Sequence, residues 1–98
     1  MDERFVEAVL ALVEQVPPGR VTTYGAVGDR LGCGPRLVGR VLAQYGGPVP
    51  WWRVVRADGS LPPSHDEVAV QEYRREGTPL RASGRVDMVA AFWSPGEA

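Results

Sequence analysis

The stretch that decides the fold is Thr22-Thr23-Tyr24-Gly25-Ala26-Val27-Gly28-Asp29-Arg30-Leu31-Gly32-Cys33-Gly34-Pro35-Arg36-Leu37-Val38-Gly39-Arg40-Val41-Leu42-Ala43-Gln44-Tyr45. Thr22 or Thr23 suits a helix N-cap, because a hydroxyl oxygen there accepts an otherwise unpaired helical N–H. The helix that follows runs to about Leu31, where Gly32 supplies a C-terminal stop. A further helix begins near Gly34-Pro35, since proline at the first helical position loses no needed donor, and it continues to about Tyr45. Its apolar residues Leu37, Val38, Val41, Leu42 and Tyr45 form one stripe. A short helix, a glycine-bounded turn and an amphipathic helix in series make a helix-turn-helix signature.

The opposite stripe of the later helix carries Arg36, Gly39, Arg40 and Ala43, at the spacing that places residues on one face. An ordinary solvent face carries glutamate and lysine. A glycine inside a helix costs about 1 kcal/mol relative to alanine, but it lets another backbone come close. Arginine heads pair with phosphates or stack on bases. A helix that enters a DNA groove needs this combination; a helix packed through Gly39 with solvated arginines would show it too.

On either side of this stretch the pattern stays helical. Residues 2–16 carry Phe5, Val6, Val9, Leu10, Leu12, Val13 and Val16 at a period near 3.6, behind Asp2 as cap, and Pro17-Pro18-Gly19 ends the run. Beyond the irregular connector Gly46-Gly47-Pro48-Val49-Pro50, Trp51 to Arg56 is strand-like and Asp58-Gly59 is a turn signal. Ser64 and Glu67 match a capping box, which predicts a helix from Ser64 to Glu76 stopped by Gly77. Val86, Met88, Val89, Phe92 and Trp93 suggest that the tail packs back on the core. The fold expected is mainly α with a short β-hairpin: a winged helix-turn-helix-like domain spanning residues 1–98.

Composition removes several functions. The 98 residues suit one domain with one modest core. Cys33 is the only cysteine and His65 the only histidine, so no disulfide and no cysteine- or histidine-rich metal site is expected. No apolar run approaches the roughly 20 residues of a membrane span, and the acidic start is unlike a secretory signal. The protein reads as cytoplasmic. Its net charge of −1 does not suggest nucleic acid. Its distribution does: residues 20–56 sum to +5, whereas residues 1–19 and 57–98 each sum to −3. A basic middle between acidic ends is an electrostatic footprint for DNA.

Three pieces together resemble a known family. Val16-Pro17-Pro18-Gly19-Arg20-Val21-Thr22-Thr23-Tyr24-Gly25, Arg36-Leu37-Val38-Gly39 and Pro50-Trp51-Trp52-Arg53-Val54-Val55 resemble the DNA-binding domain of methylated-DNA–protein cysteine methyltransferases. The likeness is closer to their non-catalytic relatives, the alkyltransferase-like proteins, whose tail Gly84 to Pro95 also resembles. No counterpart of the transferases' separate N-terminal domain is expected. Their last motif reads Pro-Cys-His-Arg-Val, and its Cys takes the alkyl group from O6 of guanine. That attack needs an activated thiolate. Trp51 and Trp52 stand at the Cys and His positions, so no nucleophile and no adjacent base remain.

The resemblance therefore implies a protein that binds O6-alkylguanine in double-stranded DNA without alkyl transfer and without a cofactor. It implies insertion of the helix-turn-helix into the minor groove and extrusion of the damaged nucleotide, which costs a few kcal/mol. It also implies a monomer that flags the lesion for nucleotide excision repair proteins. Arg36 matches the arginine that fills the vacated stack, and Tyr24 matches the tyrosine that presses on the phosphate. Read alone, Tyr24 is a half-buried aromatic at a helix start. Gly39 and Arg40 complete the DNA face, and Trp51, Trp52 and Ser64 are the expected lesion pocket. Trp52 is equally readable as structural, and Arg53 as half of an ion pair. The family's Gly-rich, Tyr-containing loop is replaced by Leu61-Pro62-Pro63-Ser64-His65, and its connector Asn is lacking at Gly46-Gly47. His65 reads as an exposed helix-start residue. Rival readings are a winged-helix transcription regulator of undamaged DNA, a transferase acting through Cys33, and a protein-docking module built on the tryptophan pair.

Overall fold

Asp2 caps the first helix, α1 (Glu3–Glu14), its Oδ1 accepting from the Arg4 amide at 2.9 Å. The structure, a computed structural model, describes residues 2–61 and 66–96. α1 buries Val6, Val9, Leu12 and Val13 on one face. It ends earlier than the expected Val16: the Gln15 and Val16 amides reach back only three residues, to Leu12 and Val13. Pro17 follows, and a residue before proline is disfavoured in the α region.

The chain then forms β1 (Thr22–Thr23) and α2 (Tyr24–Leu31), with Thr23 Oγ1 accepting from the Ala26 amide at 3.0 Å as the expected cap. Gly32 closes α2 at φ 77°, a left-handed conformation that side chains resist. The turn is tight. A Cβ on Gly28 would lie 2.4 Å from the Cys33 carbonyl oxygen, so only glycine lets the turn fold against α2. α3 (Pro35–Tyr45) starts with Pro35 in its first turn, as expected. Val27 of α2 and Val38, Val41 and Leu42 of α3 join the buried face of α1 in one core.

Trp51–Arg53 forms a single 3-10 turn rather than the expected strand, and only Val54–Val55 is extended, as β2. The short two-stranded sheet is therefore not the expected hairpin, while the mainly α, helix-turn-helix fold is the one expected. β2 pairs with β1 in parallel, Thr22 opposite Val54 and Thr23 opposite Val55. The turn at Asp58-Gly59 does form, with the Gly59 amide donating to Arg56 and Asp58 accepting from the Ser60 amide. The parallel pairing needs a long crossover, and α2 and α3 supply it.

A second cluster joins Val21, Val55, Ala69, Tyr73, Val86 and Ala91. It packs α4 (Asp66–Glu76) and α5 (Met88–Ala91) against the sheet. The tail is pinned through Val21, whose amide donates to Ala91 and whose carbonyl accepts from Trp93. Val86 and Met88 pack inward as expected. Val89 does not: it is 93% exposed, and Phe92 is 38% exposed. A four-residue helix has room to bury one face only, and Ala91 occupies it. The capping box at Ser64 and the exposure of His65 lie outside the described residues. No helix among the described residues is long and apolar enough to cross a membrane, and no group of potential metal ligands gathers there.

Candidate nucleic-acid interface

Capping by Thr23 fixes Tyr24 as the first residue of α2, and α2–α3 packing sets it against the open stripe of α3. A Cβ built on Gly39 would lie 3.9 Å from the Tyr24 ring, an ordinary contact. The protein itself therefore does not require glycine at position 39, so the alternative in which Gly39 serves close packing inside the protein does not hold. What the missing side chain leaves is space. A groove of about 690 Å³ opens there, lined on α3 by Arg36, Gly39, Leu42 and Ala43. Tyr24, Trp51, Arg56 and Leu61 line the remainder.

Of the expected site residues, Tyr24, Arg36, Gly39 and Trp51 thus meet in one groove. Arg40 is exposed on the same helix but is not among the lining residues. Ser64 lies outside the described residues. Trp52 is not brought into the groove. Its indole N–H donates to Glu76 Oε1 at 3.2 Å, and its carbonyl accepts from the Tyr73 hydroxyl at 2.6 Å. The two indoles meet edge to face, 5.7 Å between centroids at 83°. Consecutive residues of a 3-10 turn point about 120° apart, so one indole faces the groove while its neighbour turns to α4.

Glu76 is the centre of that second site. Its side chain is 2% exposed and accepts from Arg53 Nε at 3.1 Å, from the other arm of the same guanidinium, and from Trp52. Burial penalises its charge. The hydrogen bonds from Arg53 and Trp52 and the Arg53 charge outweigh that, and its carboxyl is held below the ordinary range. Arg53 also donates to the Val16 carbonyl at 3.0 Å, tying the end of α1 to α4. The structural ion pair expected for Arg53 is present.

The arginines of the basic middle have divergent fates. Arg20 is spent on the Ala91 and Phe92 carbonyls, and Arg53 on Glu76. Arg36, Arg40 and Arg56 are exposed, and no ion pair among the described residues engages them. Arg56 was not legible as a groove residue from the sequence; the sheet register was the missing signal. Thr23 opposite Val55 brings the next residues, Tyr24 and Arg56, together. Burial pushes the Tyr24 phenol up from its ordinary value, and the Arg56 guanidinium opposes that rise.

Comparison with known proteins decides the lineage. Residues 4–77 match the family model described as 6-O-methylguanine DNA methyltransferase, DNA binding domain. The chain belongs to this family. Among its relatives is the DNA base-flipping protein of Escherichia coli (strain K12), 31% identical over 99 residues, covering 95% of this chain and 77% of that one. The DNA base-flipping protein of Vibrio parahaemolyticus is 26% identical over 99 residues, covering 95% and 99%. In three dimensions the chain resembles S. pombe Atl1, solved in complex with damaged DNA containing O6-carboxymethylguanine. The TM-score is 0.82 at 22% identity, over 97% of this chain and 99% of that one. The stretch Pro50-Trp51-Trp52-Arg53-Val54, which resembles the transferase motif, places an indole, that of Trp51, on the groove.

Proposed function

We propose that this protein binds duplex DNA containing O6-alkylguanine, turns the damaged nucleotide out of the stack into the groove, and leaves the alkyl group in place. The observation that carries the reading is Trp51. It lines the groove, at the position that the resemblance matches to the transferases' nucleophile, and an indole offers an aromatic face to a base but no thiolate. Arg36 enters the gap left by the extruded nucleotide, its planar guanidinium stacking and hydrogen-bonding at once. Tyr24 turns the nucleotide at its phosphate. The space at Gly39 admits the backbone of the DNA, and Arg40 pairs with a phosphate beside the groove. The base-flipping names of the bacterial relatives and the damaged-DNA complex of S. pombe Atl1 support this assignment.

Residues 1–98 act as one domain and as a monomer, in the cytoplasm. Because the lesion persists, the bound complex must be the signal, and its consequence is recruitment of nucleotide excision repair.

The test uses a duplex with one O6-methylguanine beside a 2-aminopurine, whose fluorescence rises when stacking is lost. The expected result is a rise on protein addition, with the protein mass unchanged and the lesion intact after long incubation. A protein adduct of one methyl group would contradict the reading. Equal response from an undamaged duplex would point instead to a regulator of undamaged DNA.

A further inference from the structure

Arg56 reaches the groove from a different element than Arg36 and Arg40. It follows β2, and the parallel register carries it beside Tyr24. No ion pair among the described residues engages it. The acid nearest in sequence, Asp58, is taken by the Ser60 amide and hydroxyl and by Arg85. Groove-lining residues among those described include Arg36 and Arg56 but no acid; the surface around them is largely apolar, with Leu42, Ala43, Trp51 and Leu61.

Position adds direction to that charge. Where the family's cysteine takes the alkyl group, this chain has Trp51, so the O6 substituent of an extruded guanine arrives at the Trp51 side of the groove. Trp51 and Arg56 line the same groove, from the 3-10 turn and from the end of β2, whereas Arg36 belongs to α3. Arg56 is exposed in the free protein; a nucleotide seated against the apolar walls excludes water there, and the cation then attracts an anion more strongly than it would in water. A neutral substituent gains nothing from it.

We propose that Arg56 is a specificity-determining residue that makes the groove prefer O6 substituents carrying a negative charge, of the carboxymethyl kind, over neutral substituents of similar size. This rests on the groove being the lesion pocket. The substituent's carboxylate accepts hydrogen bonds from the Arg56 guanidinium, while the base packs on Trp51.

The experiment titrates matched duplexes bearing guanine, O6-methylguanine, O6-(2-hydroxyethyl)guanine or O6-carboxymethylguanine at one fixed salt concentration, because phosphate contacts respond to salt. The hydroxyethyl group is the neutral counterpart of carboxymethyl. The native protein is expected to bind the carboxymethyl duplex about tenfold more tightly than the hydroxyethyl one, the effect of one charge-assisted hydrogen bond. Arg56→Gln is expected to remove that gap, read as the ratio of the carboxymethyl and hydroxyethyl affinities, while Arg56→Lys keeps part of it. Equal affinity of the native protein for the carboxymethyl and hydroxyethyl duplexes would overturn the proposal. So would an Arg56→Gln loss of the same factor on all duplexes, which marks a phosphate contact instead. Failure of the lesion reading itself looks different: the native protein would not distinguish O6-methylguanine from guanine.

Discussion

Arg53 and Arg36 lie in contrasting surroundings. Arg53 is nearly enclosed, with its guanidinium on the buried Glu76 carboxylate and on the Val16 carbonyl. Arg36 is exposed at the groove and has no ion pair among the described residues. Trp52 and Trp51 repeat the contrast one residue apart: the first is held by Glu76, the second lines the groove. The two sets of side chains divide the work: Arg53 satisfies the protein's own buried charge, and on the proposed function Arg36 meets phosphates and bases. The +5 charge of residues 20–56 counts both sets alike.

The contrast is broken most severely from its buried side. Glu76→Ala strands the Arg53 guanidinium and the Trp52 N–H, and is expected to cost about 3 kcal/mol, read as a lowered urea midpoint. Because the Glu76 carboxyl is held low in the folded state, its contribution is present above the unfolded carboxylate range. It is lost as pH falls from about 5 toward the depressed folded value. Glu76→Gln should flatten this acid limb, and an unchanged limb would remove Glu76 from the account. Gly39→Ala should separate stability from function. The helix gains about 1 kcal/mol, yet the methyl group narrows the groove beside Tyr24, so DNA binding weakens while the melting temperature rises. A stabler variant with full affinity would show that the space at Gly39 is not used. Arg40→Ala should have the smallest effect. Stability should change by less than about 0.5 kcal/mol, and the salt dependence of binding should lose about one phosphate contact, equally for damaged and undamaged duplexes.

Much of this was legible in the sequence, because it is local. Thr23, Gly32 and Pro35 announce the ends of α2 and α3 by their own chemistry, and Trp51 is placed by its motif. What stayed hidden depends on partners distant in the chain. The pairing of Thr22–Thr23 with Val54–Val55 crosses two helices, so the strand-like run after Pro50 suggested a hairpin instead. The role of Arg56 follows from that register. Trp52 was assigned to the pocket with Trp51 although neighbouring residues of a strand or a 3-10 turn do not share a face. Only the location of Glu76 on α4, 24 residues on, says where its indole goes.

The most direct test of the account compares the native protein with Arg36→Ala on matched duplexes, one carrying a single O6-methylguanine and one undamaged, at fixed salt. Tryptophan fluorescence reads the binding, since Trp51 lines the groove. The native protein should prefer the damaged duplex, and Arg36→Ala should lose that preference by about tenfold or more with its folding stability unchanged. Equal affinity of the native protein for both duplexes, or a preference that survives in Arg36→Ala, would contradict it.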